Sequence, residues 1–496
     1  MRIDNAKRLR AVLAACLTLL LAACAVGPDF RRPDAPKATG YTPDPAPDAT
    51  ATLPVRGGET QRLLAGMDIP GQWWTLFRSA PLDALIEDAL HRNADIEAAH
   101  AALEVAWENV RAQRGAYFPQ MSASYNPARQ DVAKDVASSA QSGASLYSLT
   151  TAQVSVSYAP DLWGGTRRQV ESLVASANAQ RFQLEATYLT LTSNLVNAAI
   201  GEASLRAQIE ATRDIVEAQA KILAVVQRQQ ALGDVSEAAV AAQVAVLEQN
   251  RASLPPLEKQ LAQQRDLLAV LSGRSPDEVL AARFSLDELQ LPTELPLSLP
   301  AQLVEQRPDV RAAEEQLHAA SAAVGVAIAA RLPNLQINAS FGRASEHAGD
   351  LFGANNGFWN LGATLAQPLF DGGALKHKQR AAEAGYRQAA AEYRGTVLAA
   401  LQNMADVLHA VQADAETLVA AQRAEQAAAR SLEIARHQLA LGDISESTLL
   451  NAQLTWRQAS IALLQARAAR YSDTVALFQA VGGGWWHRDD VQANAR

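Results

Sequence analysis

The chain has 496 residues, few aromatics and few glycines for its length, and a net charge of −8. That charge excludes the basic face a nucleic-acid binder needs. A composition rich in Ala, Leu and Gln marks a mainly α-helical chain with coiled-coil character.

The N-terminus reads as an export signal. Lys7, Arg8 and Arg10 precede an apolar run over 11–23, too short to span a bilayer and suited to a signal peptide. The run ends in Leu21-Ala22-Ala23-Cys24, which resembles a lipobox. Cleavage there would make Cys24 the acylated first residue. The mature chain would keep one cysteine, so no intrachain disulfide could form. No later segment reads as a transmembrane helix, because the apolar stretch 319–330 is short and built of small residues. If the chain spans a membrane, it does so with strands.

The chain is written twice. Asp95 aligns with Asp309, Pro119 with Pro333, Pro160 with Pro368, Gly233 with Gly442, and Gly273 with Gly482, in the same order and at a nearly constant offset. Each copy predicts helix, strand, loop, strand, long helix, break and helix. The expected organisation is a signal peptide (1–23), an extended N-terminal segment (24–80), a first repeat (81–273), a connector (274–300), a second repeat (301–484) and a tail (485–496).

Two long helices are predicted over 166–232 and 374–441, neither containing proline. Val397, Leu401, Met404, Leu408, Val411, Ala415 and Leu418 step by alternate fours and threes. So do Leu205, Ile209, Thr212, Val216, Gln219, Leu223 and Val226, the spacing of a coiled-coil seam. At 1.5 Å per residue a helix over 166–232 runs ~100 Å and one over 234–272 only ~58 Å. A further short helix over 308–331 would add ~36 Å, so two short helices stacked end to end would match one long one. The Pro-rich 273–300 would form an irregular belt between them.

Strands are expected where apolar and polar residues alternate: 150–159, 335–341 and 359–365. The stretches 127–149 and 342–358 read as exposed loops. Pro160 with Gly164 and Gly165, and Pro368 with Gly372 and Gly373, would stop a strand and turn the chain into a long helix. Alternation of this kind suits a membrane barrel strand. Four strands cannot close a barrel, and an open edge in lipid is prohibitive, so insertion would require an oligomer; three chains would give twelve strands.

Leu232-Gly233-Asp234 and Leu441-Gly442-Asp443 break the helical pattern, with Ser236 and Ser445 placed to cap the next helix. No GxSxG, Walker A, HExxH or paired CxxC motif occurs, and no two histidines stand four apart on a helix. Neither an enzyme nor a metal site is expected. The Trp73-Trp74 pair is expected to pack the N-terminal segment onto the helices.

The lipobox, YAPDLWGG (158–165), the block 306–337, QPLFDGG (367–373), LGDIS (441–445) and the terminal AVGGGW (480–485) together resemble an outer-membrane factor of the TolC-like superfamily, in the OprM/NodT-like lipoprotein branch. The resemblance implies a homotrimer with a twelve-stranded barrel in the outer membrane and a long α-helical periplasmic tunnel. It implies a periplasmic adaptor and an inner-membrane RND pump as partners. It also implies export of drugs or small toxic compounds, with no cofactor beyond the lipid on Cys24. In the family, turns matching Leu232-Gly233-Asp234-Ser236 and Leu441-Gly442-Asp443-Ser445 form the tip where adaptors dock. The family's constriction maps to Leu450, Asn451 and Leu454, where Asn451 replaces the usual Asp and Leu454 the usual Arg. Two other readings share parts of the pattern: a channel for type I protein secretion, and a non-channel periplasmic coiled-coil scaffold.

Overall fold

The computed structural model describes residues 25–38, 40–44, 47–131 and 146–488. Cys24, the signal peptide and the chain end after residue 488 lie outside the described residues.

In chain order the elements are β1 (Arg62–Ala65), α1 (Ala80–Arg92), α2 (Ala94–Arg114), β2 (Gln120–Asp131), β3 (Leu146–Tyr158) and α3 (Gly165–Ala231). There follow α4 (Glu237–Ala252), α5 (Leu254–Leu271), β4 (Glu294–Leu297), α6 (Pro300–Gln306), α7 (Pro308–Ala329), β5 (Asn334–Ser345), β6 (Gly357–Ala366), α8 (Ala374–Leu441) and α9 (Glu446–Ala480). The order helix–strand–strand–long helix–helix thus occurs twice. Two compact units are built from both halves of the chain, and the division between them falls inside α2, α3, α7 and α8.

The first unit holds the antiparallel sheet β2-β3-β5-β6. Its strands are longer than the alternation alone indicated. β2 runs to Asp131 and β3 begins at Leu146, so the expected 127–149 loop shortens from both sides. Ladder hydrogen bonds extend the pairing beyond the alternating core, pairing Asp131 with Leu146. β5 likewise continues to Ser345.

The second unit contains the buried seam positions of both long helices. Met404, Leu408, Val411, Ala415 and Leu418 are buried along α8. On α3, Ile209, Thr212 and Gln219 are buried, and so is a second stripe of Ala211, Ile215, Ala218 and Ile222. A helix packed on two sides needs two stripes, which is why its seam tolerates Thr212 and Gln219.

The helix expected over 234–272 is two helices, α4 and α5. Pro255 and Pro256 lack the N–H groups that would bond back to the previous turn, and the chain restarts at Leu254 with proline in its first turn. The connector 274–300 is also more ordered than a belt. β4 pairs in parallel with β1, and Tyr471 donates to Leu289 O (2.9 Å). The N-terminal segment of this unit is held by buried Arg470, which donates to Gly57 O (2.9 Å), Glu59 O (2.6 Å), Gln61 Oε1 (3.2 Å) and Thr50 Oγ1 (2.9 Å). Trp73 and Trp74 are buried, with Trp73 stacked 5.3 Å from Phe478.

Candidate functional site

The sheet separates its two faces by register. One face carries the rows Met121–Val156–Ala339–Leu361 and Ala123–Val154–Phe341–Trp359, continued by Tyr158–Ile337–Ala363 and Leu335–Leu365. The other carries Ser122–Ser155–Ser340–Asn360 and Gln120–Ser157–Asn338–Gly362. Met121, Phe341, Trp359, Leu361 and Leu365 are exposed. An apolar face this large in water marks a surface made for another apolar phase or partner. Each strand has 10 to 13 residues, enough for a tilted crossing of a bilayer. Within the chain, β2 and β6 are open edges. Among the described residues no helix is long and apolar enough to cross a membrane.

At the first strand–helix junction, Pro160 leads to Gly164 and Gly165. Asp161 caps α3, accepting from Thr166 N (3.1 Å) and Arg167 N (2.9 Å). Trp163 Nε1 donates to Pro333 O (2.7 Å). At the second junction, Pro368 leads to Gly372 and Gly373, and Asp371 accepts from Gly373 N and Leu375 N, both 2.8 Å. Those amide hydrogen bonds hold the Asp371 carboxyl below the usual carboxylate range. The sequence pattern passed over both aspartates. The signal was there, since an Asp just ahead of a long helix is a preferred N-cap.

The two helix breaks share one geometry. Gly233 N donates to Gln230 O and Asp234 N to Gln229 O, both 2.9 Å. Gly442 N donates to Leu439 O (3.0 Å) and Asp443 N to Gln438 O (2.9 Å). These are Schellman closures, and Gly233 (φ +85°) and Gly442 (φ +79°) supply the left-handed residue they require. Ser236 Oγ then accepts from Ala239 N (3.4 Å) and Ser445 Oγ from Thr448 N (3.3 Å), restarting each helix. Leu232 and Leu441 stand 71% and 76% exposed, and Asp234 and Asp443 are exposed beside them.

Leu450, Asn451 and Leu454 differ in burial. Leu450 (6% exposed) and Leu454 (8%) fill a core with Ile215, Ala218 and Ile222 of α3. Asn451 alone of the three is exposed. Of the three residues expected to constrict an opening, Leu450 and Leu454 are covered by α3 of their own chain, and Asn451 is the one left accessible. Past this point α9 is fastened twice. Arg457 pairs with Asp214 of α3 at 2.7 Å, and Trp456 Nε1 donates to Glu425 Oε1 of α8 at 2.6 Å. Among the described residues no cluster of three His, Cys, Asp or Glu side chains could hold a metal.

A sheet with one oily and one polar face, joined to very long helices, defines a membrane channel built from strands and coiled coil. The family described as outer membrane efflux protein matches residues 85–274 and 299–483, and the chain belongs to that family. It is 31% identical over 428 residues to the pyoverdine export outer membrane protein OpmQ of Pseudomonas aeruginosa, covering 86% of this chain and 89% of that one. It is 28% identical over 480 residues to the toluene efflux pump outer membrane protein TtgC of Pseudomonas putida, covering 97% and 96%. Among solved structures it is similar to the outer-membrane channel OprN, with a TM-score of 0.80, 25% identity, and coverage of 93% and 100%. The chain is thus an outer-membrane channel component of an efflux system and not an enzyme. A non-channel scaffold does not account for these matches.

Proposed function

We propose that three copies assemble into a twelve-stranded barrel and export small toxic compounds to the exterior. The observation that carries this is the two-faced, open-edged sheet. Lipid offers β2 and β6 no hydrogen-bond partner, so each edge must pair with another chain, and small barrels need about eight strands or more. The aqueous face, lined by Ser122, Ser155, Ser340 and Asn338, then faces the lumen. The curated relatives export pyoverdine and toluene, which supports a small-molecule cargo, delivered by an inner-membrane RND pump through a periplasmic adaptor. The adaptor docks on the turns at Leu232-Gly233-Asp234 and Leu441-Gly442-Asp443, where each chain offers an exposed leucine beside an exposed carboxylate. Asn451 narrows the passage as a neutral ring, with Leu450 and Leu454 fixing its helix from behind.

A lipid on Cys24 tethers the chain. Ala25 packs against Gly164, and Val26 N donates to Trp163 O (3.0 Å), so the residues that follow Cys24 in sequence sit at the strand–helix junction. Arg168 fastens the same segment through Asp29 (2.6 Å) and Val26 O (3.2 Å). In this reading two repeats, 81–273 and 301–484, are joined by a connector over 274–300.

Purified protein should run as heat-modifiable trimers and conduct ions in planar bilayers; monomers without conductance would refute the barrel. Deletion should sensitise cells to members of a panel of antibiotics, dyes and solvents. Asn451→Ala should raise conductance and drug leak, whereas unchanged conductance removes Asn451 from the gate. Cys24→Ser should abolish palmitate labelling.

A further inference from the structure

The apolar face of the sheet ends in a cation. Along β5 it reads Leu335, Ile337, Ala339 and Phe341, and the next residue on that face is Arg343. Eight residues from Leu335 to Arg343 rise roughly 27 Å along the strand, or about 20 Å of depth at barrel tilt. That places Arg343 at the edge of an apolar band of about 25 Å. It is the hairpin edge, because β5 runs from α7 toward the β5–β6 turn and the helices join the strands at their other ends.

Arg343 shares its row with Tyr125 and Ala152. With Ala123, Val154, Phe341 and Phe352 they line a shallow hollow of about 440 Å³. Arg343 Nη1 donates to Gly353 O (2.9 Å), and its guanidinium lies 5.9 Å from the Phe352 ring. Its other guanidinium donors bond nothing among the described residues. Arg129 stands on the same face two rows farther out, after Pro127, and the carboxylate of Asp131 comes one row beyond that. The hollow therefore joins an oily floor to a half-buried cation with unused donors.

We propose that this hollow binds a phosphomonoester-bearing lipid of the outer leaflet, with an acyl chain on Val154 and Phe341 and a phosphate on the free donors of Arg343. A guanidinium matches the oxygens of a phosphomonoester in paired, charge-assisted hydrogen bonds, whereas a zwitterionic headgroup offers a singly charged phosphodiester that its own ammonium partly neutralises. An arginine needed only to close the turn at Gly353 would require no apolar hollow beside it. The inference rests on the barrel reading, because it requires this face to meet lipid.

The test is native mass spectrometry of the full-length protein in detergent, titrated with bisphosphorylated lipid A and, separately, with phosphatidylethanolamine. Wild type should retain lipid A in preference. Arg343→Gln should lower that retention about tenfold, the loss of one charged hydrogen bond. Arg343→Lys should recover part of it, and Arg129→Gln should change it less. Equal retention by wild type and Arg343→Gln, or equal retention of both lipids by wild type, overturns the proposal. Planar-bilayer conductance of the same samples separates the two readings. Channels that conduct but show no Arg343 dependence remove the lipid site alone, whereas absence of conductance in wild type removes the barrel beneath it.

Discussion

The two strand–helix junctions perform one task with different surroundings. Both follow a proline, both use a glycine pair, and both cap the long helix with an aspartate. At the first, the chain covers its own turn: Ala25 sits on Gly164, and Trp163 bonds to Pro333 O. At the second, Leu369 and Phe370 are 95% and 93% exposed, and nothing lies within 4 Å of a side chain built at Gly372. A duplicated module has thus specialised. One copy is closed by the N-terminal segment, and the other presents bare apolar surface of the kind a neighbouring subunit covers.

The contrast can be broken most severely at that bare surface. Phe370→Asp should abolish the heat-modifiable oligomer while leaving the helical circular dichroism of the chain in place. An intact oligomer would show that Phe370 faces no subunit.

The next largest effect separates the glycines. Gly164 (φ +77°) and Gly372 (φ +65°) both hold left-handed backbone, which costs any other residue roughly 1–2 kcal/mol. A Cβ at Gly164 would also lie 2.6 Å from Ala25 Cα, whereas one at Gly372 meets nothing. Gly164→Ala should therefore lower the thermal midpoint in detergent clearly more than Gly372→Ala, and equal shifts would mean that Ala25 yields freely.

The repeats also differ in charge. Asp414 and Asp473 face each other from α8 and α9, and burial together with the hydrogen bond between them pushes the Asp414 carboxyl up to about 7, against the pull of Arg470. The corresponding positions 209 earlier are Leu205 and Gln264, and Gln264 donates to Ala198 O (3.1 Å). A carboxyl with a raised folded-state pKa loses stability as pH climbs from its ordinary range, near 4, to about 7. Asp414→Asn should raise the thermal midpoint at pH 8 and change it little at pH 5.

Smallest are the two caps. Asp161→Ala should cost about 1 kcal/mol, the usual value of an N-cap. Asp371 has a lowered pKa, so its contribution is present above the ordinary carboxylate range and fades as pH falls through the lowered value. Asp371→Asn should lower the midpoint at pH 7 and less at pH 3, as melting curves at both values would show.

Much of this was legible in the sequence because it is periodic or local. The long helices announced themselves by the 3–4 step, and α8 begins at Ala374 and ends at Leu441, where the Gly-Gly and Gly-Asp signals put its bounds. The turns at Gly233 and Gly442 need only their own backbone. The alternation of 335–341 and 359–365 fixed which residues share a face, since side chains in a strand must alternate. Other features were set by partners distant along the chain. β1 and β4 are four-residue strands that exist only because each pairs with the other, 232 positions away in register. Leu450 and Leu454 read as neighbours of Asn451 until Ile215 and Ile222 of another helix claimed them. A helix announces its spacing, but which of its faces is covered depends on what packs there, and only the tertiary structure decides that.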